Sequence, residues 1–346
     1  MAQLSILGTL AATEGGAETR VWHVSWCPTS PAHMASCGED KIVRIWYEDK
    51  CIATLEEAQS RTVRSCEWSP DGRKLACASF DGTVVVWESK RGSMSHWDQI
   101  ASLEGHESEV KSVAWSGFGD GRWLATCGRD KKVWVWEQVA RRNEFECVSM
   151  LESHTQDVKF IRWHPTECAL FSASYDDSVK VWSCEDADSG DDEFFCASTL
   201  TGHGSTVWSL AIDPNNDHRR IVTCSADCSI ILWECDGPVC GGSGVRGTWR
   251  ALHALKGVHG DFPIYSIDWS ADSLIVSGGG DNAIALTRVS PSEDGAPPTL
   301  ELIFVHPDLH KGDVNCVRWN PATNKAGLLA SASDDGTICL SVLSLL

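Results

Sequence analysis

A seven-residue unit opening on aspartate recurs along this chain, and no other feature restricts its fold so tightly. It reads DKIVRIW (Asp40 to Trp46), DGTVVVW (Asp81 to Trp87), DKKVWVW (Asp130 to Trp136) and DDSVKVW (Asp176 to Trp182). It continues as DCSIILW (Asp227 to Trp233), DNAIALT (Asp281 to Thr287) and DGTICLS (Asp335 to Ser341). Successive ends lie 41, 49, 46, 51, 54 and 54 residues apart. A fixed unit at this period marks a repeat architecture in which each copy is one supersecondary element that buries its faces against its neighbours. The alternating apolar residues inside each unit are strand-like, so the spacing predicts an all-β ring of four-stranded blades, with the excess length in loops.

Upstream of each aspartate lies a second alternating stretch, usually closed by a turn. VRSCEWSPDG (Val63 to Gly72), VKSVAWS (Val110 to Ser116), VKFIRWHP (Val158 to Pro165) and VNCVRWNP (Val314 to Pro321) are examples. Apolar alternation ended by Pro, Asp or Gly is what a short antiparallel strand and its turn require. Five repeats place a histidine before this strand: His106, His154, His203, His259 and His310. A hydroxyl residue stands four positions before six of the aspartates, at Ser36, Thr126, Ser172, Thr223, Ser277 and Ser331, with Cys77 in the second repeat.

Ser, His and Asp together suggest a hydrolytic triad, but a catalytic constellation occurs once in a chain and this one is repeated. The reading adopted is structural. His106, His154, His203, His259 and His310 join Asp40, Asp81, Asp130, Asp176, Asp227, Asp281 and Asp335 in a buried hydrogen-bond chain from Trp through Ser or Thr and His to Asp. No catalytic residue is assigned, because no single nucleophile–base pair, phosphate loop or metal-ligand cluster stands outside the repeats.

Sixteen cysteines in 346 residues raise the question of disulfides or metal. Cys37, Cys127, Cys224, Cys316 and Cys339 fall in apolar strand-like runs, where cysteine behaves as a small hydrophobe. None forms a C-x-x-C pair; Cys224 with Cys228, and Cys235 with Cys240 in CDGPVCGGSGVRG, come nearest and lack ligand spacing. Free thiols in a reducing compartment are expected, with no metal and no cofactor. The opening residues show neither a basic n-region nor a long apolar core, so no secretory signal and no membrane association are expected. A formal charge of −19 argues against non-specific nucleic-acid binding.

With Gly-His pairs at Gly105-His106 and Gly202-His203, strand aspartates and terminal tryptophans, the chain resembles the WD-repeat family over essentially its whole length. The resemblance implies a seven-bladed WD40 β-propeller, a single domain over 1–346. Repeats are expected near 14–53, 58–97, 105–146, 152–192, 201–243, 254–297 and 307–346. Repeats 1 and 2 lack the histidine, and repeats 6 and 7 lack the terminal tryptophan. In this family the N-terminal strand completes the last blade, a role that falls to residues 4–10, LSILGTL.

A narrower resemblance rests on LEGHESEVKSVAWS (Leu103 to Ser116), ATCGRDKKVWVWE (Ala125 to Glu137), ECVSMLESHTQDVK (Glu146 to Lys159), SASYDDSVKVW (Ser172 to Trp182) and GSTVWSLAIDP (Gly204 to Pro214). Together with GGGDNAIAL (Gly278 to Leu286) and DVNCVRWNP (Asp313 to Pro321), these strings resemble WD-repeat proteins of cytosolic iron–sulfur protein assembly. That implies a cytoplasmic scaffold, with nuclear as well as cytosolic clients. It joins subunits of the iron–sulfur targeting complex and apoprotein clients, and the propeller itself is a monomer within a hetero-complex. The same fold also supports a ubiquitin-ligase substrate receptor or a histone-tail reader.

The family register places two positions per repeat on one face. They bring Trp22, Arg64, Lys111, Lys159, Trp208 and Tyr265 together with Phe80, Arg129 and Tyr175, and Arg20 sits two positions ahead of Trp22. A basic, aromatic partner-binding rim on an acidic body is the expectation, since aromatics and arginine dominate interface energies. It suits a partner bearing carboxylates and an aromatic ring, such as a free C-terminus, with Arg64 and Arg129 as anchors. The acidic stretch CEDADSGDDEFF (Cys184 to Phe195) and the Pro-rich SPSEDGAPPTL (Ser290 to Leu300) read as solvated loops.

Overall fold

The computed structural model describes residues 2–11, 19–90, 93–118, 121–139, 143–184, 194–215, 218–240, 246–291, 296–322 and 327–345. Most of the acidic stretch, and parts of the Gly-rich and Pro-rich loops, lie outside these residues.

The described residues form seven four-stranded antiparallel sheets. Each alternating stretch ahead of an aspartate is an innermost strand, and each Asp-to-Trp unit supplies the third strand. The first blade is β2 (Val21–Trp26), β3 (His33–Gly38), β4 (Val43–Tyr47) and β5 (Lys50–Leu55). The second is β6 (Val63–Trp68), β7 (Lys74–Ser79), β8 (Val84–Lys90) and β9 (Ser93–Leu103). The third is β10 (Val110–Trp115), β11 (Trp123–Gly128), β12 (Lys132–Gln138) and β13 (Phe145–Glu152). The fourth is β14 (Val158–Trp163), β15 (Ala169–Ser174), β16 (Ser178–Cys184) and β17 (Phe194–Thr201). The fifth is β18 (Val207–Ile212), β19 (Arg220–Ser225), β20 (Ser229–Cys235) and β21 (Trp249–Lys256). The sixth is β22 (Ile264–Trp269), β23 (Leu274–Gly279), β24 (Ile284–Ser290) and β25 (Thr299–His306).

The seventh blade combines β26 (Val314–Trp319), β27 (Leu328–Ser333) and β28 (Thr337–Leu345) with β1 (Ala2–Ala11), in the order β1-β28-β27-β26. β1 lies antiparallel to β28, with Leu4 opposite Leu343 and Leu10 opposite Ile338. The ring is thereby closed through a sheet shared by both ends of the described chain, which leaves only outer blade edges unpaired.

The apolar core is divided into layers between adjacent blades. Val133, Val135 and Leu151 of the third blade meet Val158, Ile161 and Trp163 of the fourth, for example. Four tryptophans ending inner strands add clamps between blades, whereas the indole N–H groups of Trp269 and Trp319 have no partner among the described residues. The indole N–H of Trp26 donates to the Arg318 carbonyl at 3.1 Å, Trp68 to Ser25 at 3.0 Å, Trp115 to Glu67 at 3.2 Å and Trp163 to Ala114 at 3.0 Å. The fifth blade has Ile212 at this position and cannot make the clamp.

The aspartates build the turn between second and third strands. In every repeat the aspartate side chain accepts the backbone N–H two residues on, at 2.9–3.2 Å. The intervening residue is left-handed, with φ of 62–91° at Lys41, Gly82, Lys131, Asp177, Cys228, Asn282 and Gly336. Asx turns stabilise such a bend, and the left-handed conformation suits glycine best. Only the second and seventh repeats supply one.

Candidate functional site

The third, fourth and fifth blades carry the whole chain from Trp to Asp. In the fourth, the Trp182 indole donates to Ser172 Oγ at 2.8 Å, Ser172 lies 2.7 Å from His154 Nε2, and His154 Nδ1 lies 2.8 Å from Asp176. Burial holds His154 below the ordinary histidine value, against the pull of Asp176, so the ring is neutral at pH 7. The hydroxyl then donates to Nε2, and Nδ1–H donates to the carboxylate. Burial works to raise the Asp176 pKa, but hydrogen bonds from His154, Ser178 and the Thr155 N–H outweigh it and hold it well below the usual carboxylate range. The third blade repeats this with Trp136, Thr126, His106 and Asp130, and the fifth with Trp233, Thr223, His203 and Asp227, every distance being 2.7–3.0 Å. Thr126, Ser172 and Thr223 have no exposed surface, so a substrate cannot reach these hydroxyls.

The other blades vary the pattern. His259 bonds Asp281 at 2.7 Å and Ser277 at 2.9 Å, and His310 bonds Asp335 at 3.2 Å and Ser331 at 2.7 Å, both without a terminal indole. In the first blade Trp46 still reaches Ser36 at 2.8 Å, while Arg44 pairs with Asp40 at 2.6 Å. In the second blade buried Gln59 donates to the Cys77 carbonyl at 3.0 Å, and Asp81 accepts the Ser60 N–H at 2.7 Å. Gln59 and Arg44 are substitutes that the histidine pattern did not reveal.

The upper face is set by backbone geometry. Each inner strand slips register across its second residue, for example between Val110 and Ser112 and between Val158 and Phe160. The skipped residues are Trp22, Arg64, Lys111, Lys159, Trp208, Tyr265 and Asn315. A bulge re-aims the side chain it displaces, and here the repeated bulge surrounds the channel mouth with one residue per blade. A second ring lies outside it. The residue before each aspartate donates its N–H to the carbonyl of the residue preceding the inner strand, in all seven blades, at 2.8–3.0 Å.

The expected rim residues are joined by ring contacts. Arg64 lies 5.0 Å over Trp22, Lys111 4.5 Å over Phe80, and Lys159 5.0 Å from Tyr175 and 5.1 Å from Trp208. Trp208 meets Tyr265 edge-on at 5.3 Å, and its far side packs on the core between the fifth and sixth blades. Cation–π contacts of this kind hold flexible side chains in place.

Acidic residues modify the expected basic rim. Lys111 pairs with Glu109 at 2.7 Å, Arg129 with Glu109 at 3.6 Å, Lys159 with Asp157 at 3.3 Å and Arg20 with Asp334 at 3.5 Å. Arg61 adds a pair to Glu109 at 3.3 Å. Glu109, Asp157 and Asp313 occupy the position of Arg20 in their own repeats, so the register that located Arg20 also pointed to them. The rim is therefore divided: Arg61, Arg64, Lys111, Arg129 and Lys159 lie on blades two to four, and Asp313 and Asp334 on the seventh. Burial first, and the Asp313 charge second, push the neighbouring Tyr265 hydroxyl up to about 12.

Comparison with known proteins agrees with this geometry. The pattern described as WD domain, G-beta repeat matches residues 6–47, 49–88, 97–137, 145–183, 194–234 and 303–340. A relative in Caenorhabditis elegans, "Probable cytosolic iron-sulfur protein assembly protein CIAO1 homolog", is 38% identical, covering 93% of this chain and 94% of its own. One in Culex quinquefasciatus, "Probable cytosolic iron-sulfur protein assembly protein Ciao1", is 39% identical over 98% of both chains. The chain belongs to the WD40-repeat family of cytosolic iron–sulfur protein assembly proteins. A yeast member of that family, from Vanderwaltozyma polyspora, is 36% identical over 82% of this chain and 81% of its own. The stretch between the matched repeats, 235–302, contains most of the sixth blade, where Thr287 replaces the tryptophan of the WD40 pattern. That blade keeps its four strands all the same, because His259, Ser277 and Asp281 remain in place.

Proposed function

We propose that this protein is a non-catalytic scaffold of cytosolic iron–sulfur protein assembly. It binds other subunits of the targeting machinery and apoprotein clients, while the cluster itself is cargo held by other subunits. The observation that carries this reading is similarity along nearly the whole chain to relatives named for that process. Arginines and aromatics gathered on one face support it, since these residue types anchor protein interfaces.

The divided rim refines the partner. Arg129, with 59% of its side chain exposed, and Tyr175, 49% exposed, are available to a docking segment. Blades two to four suit a partner carboxylate beside an aromatic ring, and the Asp313–Asp334 side suits a basic residue on the same partner. Depleting the protein from cells and assaying iron–sulfur enzymes tests the role. Loss confined to enzymes outside mitochondria is expected, whereas equal loss in mitochondria, or a pull-down yielding ligase or chromatin subunits instead, overturns it.

A further inference from the structure

Beneath the rim the channel narrows to an upper chamber of about 20 Å³, lined by Arg64, Lys111, Lys159, Arg318 and the hydroxyls of Ser65, Ser112, Ser209 and Ser266. Four cationic side chains converge here in a protein whose formal charge is −19. No carboxylate lines the chamber among the described residues. Lys111 and Lys159 have acids on the outer, rim side. Arg64 differs: its guanidinium stacks on Trp22 and has neither a hydrogen-bond acceptor nor a carboxylate partner among the described residues. Arg318, 9% exposed, donates to the Val317 carbonyl at 2.9 Å, Ser266 Oγ at 3.4 Å and His23 Nε2 at 3.2 Å, while against burial Asp268 and Glu67 on its far side help to hold its pKa above the ordinary arginine value. The buried Ser209 hydroxyl also has no partner among the described residues.

Several like charges around one small space repel one another, and an anion among them offsets that repulsion. Burial lowers the Arg64 pKa, and the more distant Asp334 carboxylate offsets this only in part. Burial raises the nearby Cys37 thiol, so it stays neutral and supplies no charge.

We propose that this chamber binds one small monovalent anion, a halide or a single carboxylate group, between Arg64, Lys159 and Arg318. A water-sized site needs roughly 10–15 Å³, so the chamber suits a halide or the carboxylate end of a larger group entering from the rim. The inference does not rest on the rim's role in partner binding, because it is tested on the isolated protein.

Crystals of the intact protein grown with bromide test the site directly. An anomalous peak within hydrogen-bonding distance of the Arg64 guanidinium is expected. Melting temperature is measured in parallel in chloride, bromide or acetate against gluconate at constant ionic strength. A saturable rise of a few degrees is expected in the wild type and in Arg129→Gln, and its loss in Arg64→Gln. A rise with halides and a bromide peak identify a free inorganic ion. A rise with acetate alone, with acetate density at Arg64, identifies a carboxylate that a protein chain would supply. Melting indifferent to the anion with no density at Arg64, or an undiminished rise in Arg64→Gln, overturns the proposal. Should Arg64→Gln fail to fold, the wild-type bromide and acetate maps decide.

Discussion

Arg129 is joined to Glu109 twice: its backbone N–H donates to the Glu109 carbonyl at 2.8 Å, and its guanidinium lies 3.6 Å from the Glu109 carboxylate. The first contact recurs in every blade and fixes where the side chain emerges. The second is exposed, and surface ion pairs contribute about 0–1 kcal/mol. Arg129 is therefore held in place by the fold without being needed for it. Arg129→Glu is expected to leave the melting temperature within a degree or two and to weaken capture of partner proteins at least tenfold. Capture at wild-type level by a folded Arg129→Glu protein would sink the rim as a docking surface.

Acid should loosen the propeller through its aspartates. Asp81, Asp130, Asp176, Asp227 and Asp335 all have pKa values below the usual range, since hydrogen bonds to the carboxylates outweigh the opposing effect of burial. A depressed folded-state pKa contributes stability that is present above the unfolded value, about 3.9, and is lost as pH falls towards the folded value. Denaturant midpoints are expected to start falling below about pH 6.5, where the unfolded chain protonates histidines that burial keeps neutral in the fold, His154 and His23 among them, and to fall steeply below about 5 as the aspartates follow. Asp176→Asn, which removes a charged acceptor from four bonds, is expected to cost about 2 kcal/mol at pH 7. It should also show a shallower acid decline than the wild type.

Lys131 occupies the left-handed turn position with φ of 70°, where the second and seventh repeats have glycine. A side chain there costs roughly 1–2 kcal/mol, partly offset by the extra freedom glycine gains in the unfolded chain. Lys131→Gly is expected to stabilise the protein by about 0.5–1 kcal/mol, read as a higher urea midpoint at unchanged slope. A lower midpoint would show that the lysine side chain contributes more than its backbone strain costs.

Gln59 stands in for a histidine, and its side-chain amide, 8% exposed, caps the Cys77 carbonyl. Truncation removes that bond while the carbonyl keeps its place in the ladder between β6 and β8, at a cost of about 0.5–1.5 kcal/mol. Gln59→Ala is expected to lower stability by that amount in equilibrium unfolding, while Gln99→Ala, on outer strand β9, should change it by less than about 0.5 kcal/mol.

Much of the architecture was legible because a tandem unit shows itself by period alone. The aspartate spacing located seven third strands, and the alternation before it located their inner partners. Register also named the rim residues, but not what surrounds them. The bulge that aims Arg64 and Lys159 inward is a one-residue slip in hydrogen bonding and leaves no characteristic residue type. Glu109 and Asp157 had a signal, being register-equivalent to Arg20, yet attention to cations passed over the acids that pair with them. Gln59 had none, because a lone glutamine ahead of a strand resembles any loop residue. The upper chamber depends on side chains from all around the ring converging, which no local pattern encodes.

Closure through β1 and β28 imposes an order of events. β1 is synthesised before its partner, and every other blade intervenes before the two can pair. Until then Ile6 and Leu7, 51% and 63% exposed even in the closed ring, belong to a strand with neither edge occupied. A nascent chain is thus most open to mispairing at β1 until β28 has been made, and quality control on this protein should act there, at a seam that seals only after all the intervening blades have formed.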